Sequence, residues 1–134
     1  MITIRIDAAP QGKARPRFNR KTGHAYTADK TRSYEALLRD TAALEMRDKP
    51  MLEGPLSVTV TAFMPIPSSW SLGKKMLAGA GQWHAATKPD ADNILKTLDA
   101  FNGIVWKDDA QIVHAVVIKR YSSSPALVVV ARAA

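Results

Sequence analysis

The chain has 134 residues, a length that suits one domain with one core. Its 46% hydrophobic content and mean hydropathy of -0.15 exclude a disordered polyelectrolyte, and no apolar run nears the roughly 20 residues of a membrane span. The absence of cysteine rules out disulfides and thiolate metal sites. A formal charge of +7 makes a polyanion a natural partner without saying anything about fold. The opening MITIRIDAAP carries neither a basic leader nor a long apolar block, so the expectation is a cytoplasmic domain with no membrane partner.

Ile2 to Asp7 (ITIRID) alternates apolar and polar residues, as a half-buried strand does. Pro10, Gly12 and Pro16 then interrupt regular structure. They place GKARPRFNRKTG on a loop or strand edge, with Lys13, Arg15, Arg17, Arg20 and Lys21 and no acid among them. Clustered charge of this kind is the footprint of a phosphate-backbone contact or simply a solvated loop, and charge alone does not choose. A helix is predicted from Thr27 or Asp29, with Tyr34, Leu37, Leu38, Thr41 and Leu44 at helical spacing, ended by Pro50, Gly54 and Pro55.

Leu56 to Pro65 is the clearest strand, with Val58, Val60 and Ala62 on one side and Ser57, Thr59 and Thr61 on the other. A short helix is predicted from Ser68 or Ser69 to the glycines at 79 and 81. The stretch WHAATKP is predicted to be extended, because Pro89 disfavours helix at Lys88. DADNILKTLDAFNG reads as a helix of about three turns with Gly103 as its C-terminal cap. Two further strands, AQIVHAVVIKRY and ALVVVARA, follow. The expected fold is α/β or α+β: a single domain over residues 1–134, with a small mixed sheet of about four strands packed with two or three helices.

Lys88 to Asp109 holds five of the twelve acids of a basic chain. Asp90 and Asp92 stand two apart where extended chain becomes helix, so both carboxylates are expected to converge. Lys96 lies one turn past Asp92 and Asp99 nearly another, while Ile94, Leu95, Leu98 and Phe101 supply the packing side. Asp109 is expected at the start of the next strand, held to the core by GIVW. The plainer readings are a helix N-cap, an i,i+4 ion pair between Asp92 and Lys96, and a turn opened by Asp108-Asp109. Several acids gathered on regular elements repel one another unless a cation lies between them. Oxygen ligands alone suit Mg²⁺ or Mn²⁺ and not zinc. His24, His84 and His114 lack metal-ligand spacing, and Trp70, Trp83 and Trp106 are read as core or dimer packing residues, with stacking on nucleobases as the alternative.

With these residues in view, KPDADNILKTLDAFNGIVWKDDAQIV resembles the core of the RusA family of Holliday-junction resolvases. The shared pattern is D-x-D-N, a lysine four residues on, an LDAL-N-G-like helix end, and D-D followed by glutamine. The stretch from Gly12 to Glu35 is similar to the family's K-x-R-P-R…Y-T opening. Phe101 departs from the usual leucine. The resemblance implies a RusA-like fold and a homodimeric endonuclease that needs Mg²⁺, with Mn²⁺ able to substitute, and that cuts four-way DNA junctions symmetrically. It assigns metal binding to Asp90, Asp92 and Asp109 and an essential role to Lys96, as a group that orients water or stabilises charge on the phosphate. Asn93, Asp99 and Asp108 are expected behind them. Lys13, Arg15, Arg17, Arg20, Lys21 and Lys88 are expected on DNA. The rival expectation is a non-catalytic phage protein that binds branched DNA. A sugar-nucleotide transferase built on D-x-D is a weaker one, since no Gly-rich nucleotide loop is present.

Overall fold

A computed structural model of the chain describes residues 1–13, 17–26 and 29–134. β1 (Ile2–Ile6) leads into a two-stranded hairpin of β2 (Arg17–Phe18) and β3 (Ala25–Tyr26), and then α1 (Asp29–Glu45). β4 (Leu56–Pro65), α2 (Leu72–Gly79) and α3 (Ala91–Lys96) follow, with β5 (Ile112–Ser122) and β6 (Ala126–Ala133) closing the chain. The four long strands form one mixed sheet in the order β1-β6-β4-β5, in which only β4 and β5 run parallel. The expected strand from Leu56 to Pro65 is found over those residues, and the arrangement is α+β.

Register assigns the sheet's two faces. Ile2, Ile4 and Ile6 lie beside Ala131, Val129 and Leu127 and, through them, beside Val58, Val60 and Ala62. All nine are buried, and Tyr34, Leu38 and Ala42 of α1 pack with Ile94, Leu98 and Phe101 in the same core. Burying side chains of this size stabilises by about 1.5–3 kcal/mol each relative to exposure, which is what holds α3 in place despite its six residues. On the other face Thr59, Thr61, Val128 and Val130 are half-buried, while Val116 and Ile118 of the edge strand β5 are exposed.

The three-turn helix expected from Asp90 is shorter. It is α-helical only to Lys96 and continues as a tight 3-10 turn over Thr97–Phe101. The Thr97 hydroxyl donates to the Ile94 carbonyl at 2.6 Å, offering the backbone a local alternative to the next α turn. Gly103 has a φ of 81°, the left-handed conformation that glycine adopts at no steric cost, one residue after the cap at Asn102. The strand after Asp109 also begins later than expected, because Asp109–Gln111 form a separate 3-10 turn before β5.

Candidate active site

The site is assembled by three separate anchors around α3. The first is the N-terminal loop. Lys13 donates its backbone N–H to the Asn93 carbonyl at 2.9 Å. A Cβ on Gly12 would lie 2.9 Å from the Cβ atoms of both Asn93 and Pro89, so only glycine lets the loop approach this closely. The Lys13 ammonium then bridges Glu35 of α1 and Asp99, the latter at 3.2 Å. Burial works to lower the Lys13 pKa, but hydrogen bonds and charge from Glu35 and Asp99 outweigh it and hold the group above the ordinary lysine range.

The second anchor returns the chain after Gly103. Val105 and Trp106 are fully buried, the Trp106 ring meets Phe101 edge-on, and its Nε1–H donates to Asn102 Oδ1 at 2.8 Å. The third fixes Asp108 and Asp109. Asp108 caps the 3-10 turn by accepting from the Ala110 N–H at 2.8 Å. Gln111 Oε1 accepts from the backbone N–H groups of Lys107 and Asp108, and Gln111 Nε2 donates to the carbonyls of Leu52 and Gly54. Asp108 is thereby committed to the backbone. Asp109 is not.

Asp92, Lys96 and Asp109 line one cleft of about 360 Å³, walled by Leu95, Leu98, Ile112 and Ala115. Asp92 sits in the first turn of α3, where the helix N-terminus favours a negative charge, and pairs with Lys96 at 3.2 Å with both side chains mostly exposed. The Asp109 carboxyl is pushed above the usual carboxylate range by burial first, then by Asp108 and Asp99, against the pull of the Asn102 amide.

Asp90 is placed differently. It is the N-cap of α3 in extended conformation, its carboxylate caps no backbone N–H, and Asn93 donates to it at 3.4 Å. Asp92 already has helical backbone, so the two-residue spacing does not carry both side chains to the same cleft. Asp90 instead lines a neighbouring cleft of about 530 Å³ with Lys13, Lys30, Lys88 and Asn93. Among the described residues, no three Asp, Glu or His side chains come close enough to share one metal ion.

Of the residues expected on DNA, Lys88 is exposed beside Asp90, and Arg20 and Lys21 are exposed at the tip of the β2–β3 hairpin. That tip is closed by Asn19, whose side chain accepts from the Lys21 N–H. Arg15, the Arg17 side chain and the cap at Thr27 lie outside the described residues. Lys30 and Glu35 were not singled out from the sequence, and each reaches the site only through tertiary contact, with no local motif to mark it. The sequence marks Asn102 only as part of the N-G helix end, which says nothing of its hydrogen bond to Trp106.

Oxygen-only donors fit a hard cation, and Mg²⁺ is commonly held by one or two carboxylates together with waters and substrate phosphates. Asp92 and Asp109, two carboxylates lining one cleft, are a donor set of that kind. The sequence profile of the RusA endodeoxyribonucleases matches residues 7–131, nearly the whole chain. The chain is also similar to an uncharacterised protein, YqaN, of Bacillus subtilis (strain 168), at 34% identity covering 98% of this chain and 95% of that protein. No helix among the described residues is long and apolar enough to cross a membrane. A profile that spans β4, β5, most of β6, the cleft and the basic N-terminal stretch together establishes that this chain belongs to the RusA endodeoxyribonuclease family.

Proposed function

We propose that the chain resolves four-way DNA junctions by Mg²⁺-dependent phosphodiester hydrolysis, acting as a homodimer that cuts two strands symmetrically. The observation that carries this reading is the cleft in which Asp92, Lys96 and Asp109 meet in a family of endodeoxyribonucleases. Asp92 and Asp109 would hold the ion, while Asp90, the other aspartate of the D-x-D pattern, opens on the neighbouring cleft, and Mn²⁺ would substitute. The bound ion would supply a water of lowered pKa and neutralise charge on the attacked phosphate.

The chain's own groups do the rest. Lys96, held at the cleft by Asp92, presents its ammonium where a water is oriented or phosphate charge develops. Asp108 and Gln111 fix the backbone of the turn, so that Asp109 presents its carboxylate without reorganising. Leu95, Leu98 and Ile112 give the cleft an apolar wall, which strengthens the electrostatics inside it. Lys88, Lys30 and the hairpin cations Arg20 and Lys21, with Arg15 and Arg17 of the same basic stretch, are proposed to take the flanking phosphates.

A symmetry argument and one observation support the homodimer. A junction offers two equivalent strands to a two-fold protein, and the exposed Val116 and Ile118 give the sheet's open face an apolar surface for a second copy. Sedimentation of the wild type beside Ile118→Lys tests this, with a monomeric wild type as the contrary result.

The separation of Asp90 from Asp92 and Asp109 favours a second reading, a branched-DNA binder that does not cut. Cleavage mapping on a synthetic four-way junction and a plain duplex, with Mg²⁺ and then Mn²⁺ titrated, decides between them. Paired symmetric nicks near the crossover are expected. A band shift with no nick in either metal would leave the binder.

A further inference from the structure

All twelve acidic residues lie within 7–53 and 90–109, so 54–89 and 110–134 contain no Asp or Glu. These acid-free stretches meet in the fold. α2 packs against β5, and the Lys119 ammonium of β5 donates to the Thr87 carbonyl. Together they bring Lys74, Lys75, Lys119 and Arg120 to one end of the edge strand, and none of the four has a carboxylate partner among the described residues.

An aromatic cluster sits in the middle of this charge. Trp70 meets Tyr121 edge-on at 5.2 Å between ring centroids, and meets Trp83 at 6.1 Å and 64°. The Lys74 ammonium lies over both indoles, 3.8 Å from the centre of Trp70 and 4.5 Å from that of Trp83. Core packing accounts for Tyr121 and for the half-buried Trp70. It does not account for Trp83, which is 44% exposed on the segment leading into Asp90.

We propose that Trp83, braced by Trp70 and Lys74, is a stacking platform for an unpaired nucleobase, with Lys75, Lys119 and Arg120 taking the adjacent phosphates. The site rests on the reading of the chain as a branched-DNA nuclease and extends it to unpaired nucleotides beyond the cut. Every base has a π-face, so an exposed indole set among cations binds single strands without reading sequence. The cation over the rings fixes their orientation before a base arrives, which reduces the ordering cost of stacking. β5 links platform and cleft: Ala115 in the cleft wall and Tyr121 beneath Trp70 share one face of the strand. At about 3.3 Å per residue they stand roughly 20 Å apart. A strand of about six stacked nucleotides spans that distance.

The probes are a short oligothymidylate, a four-way junction and a plain duplex, each titrated by fluorescence anisotropy against wild type, Trp83→Ala and Trp83→Phe. Trp83→Ala is expected to weaken oligothymidylate and junction binding about tenfold and leave duplex binding unchanged, with Trp83→Phe recovering most of the loss. Oligothymidylate is expected to quench the tryptophan emission of the wild type more than that of Trp83→Phe, a readout that survives should the alanine variant fold poorly. Equal losses on all three probes, or oligothymidylate affinity unchanged in both variants, would overturn the platform. A wild type that neither binds nor cuts junctions, yet holds oligothymidylate through Trp83, would remove the resolvase reading and keep the platform.

Discussion

The chain carries two pairs of neighbouring aspartates, Asp90 with Asp92 at the start of α3 and Asp108 with Asp109 at the start of the last 3-10 turn, and each pair is divided in the same way. One member sits at a cap position: Asp90 as the N-cap of α3, Asp108 as the capping residue locked to Gln111. The other member, Asp92 or Asp109, enters helical backbone and faces the shared cleft. Caps and cleft carboxylates are the same residue type one or two positions apart. Backbone conformation separates them, and the chemistry of the side chain does not.

The largest expected effect breaks the cleft half of this comparison. Asp92→Asn and Asp109→Asn each lower the single-turnover cleavage rate by about 10³-fold, since a carboxylate on a catalytic ion is worth several kcal/mol. Junction affinity in a gel shift is expected to stay within a few-fold, because the cations proposed to take the phosphates lie elsewhere. Asp90→Asn sharpens the comparison, with an expected loss of about 10²-fold, smaller because its carboxylate opens on the neighbouring cleft. A loss of affinity with cleavage per bound complex unchanged would place Asp90 with the lysines of that cleft instead.

Smaller effects probe the anchors. Gly12→Ala forces a shift of Asn93 or Pro89 and costs roughly 1–3 kcal/mol in urea unfolding, with activity falling as α3 moves. Asp108→Ala removes a cap and costs about 1 kcal/mol by the same measurement. Lys13→Met, at a partly exposed bridge, costs less than about 1 kcal/mol. The sign of its pH dependence follows from the raised Lys13 pKa. The bridge contributes fully below the ordinary lysine range and is lost as pH rises through the higher folded value, so the gap between wild type and Lys13→Met closes only at strongly alkaline pH.

Much of this architecture was legible in the sequence. Period-two alternation marked β1 and β4, and the apolar stripe of α1 named Tyr34 and Leu38. The D-x-D-N…K…D-D-x-Q pattern gave the family. What was not legible depends on tertiary partners. The end of α3 is set by the Thr97 hydroxyl turning back on Ile94, and nothing in LKTLDAF distinguishes that from one more α turn. Lys13 reads as one more cation in a basic run, yet its ammonium meets Glu35 and Asp99, 22 and 86 positions away. The convergence expected of Asp90 and Asp92 assumed that both keep extended backbone, and the helix begins between them. Trp83 lay in a stretch with no periodicity, so its exposure and its neighbours could only be seen once α2 was placed against β5.

The measurement that bears most directly on the division of the aspartates is Mg²⁺-dependent cleavage of one four-way junction by Asp109→Asn and Asp108→Asn side by side. The account predicts that Asp109→Asn loses about 10³-fold in rate at unchanged stability, while Asp108→Asn keeps its rate within about tenfold and loses stability. The reverse order, or wild-type cleavage by Asp109→Asn, would contradict it.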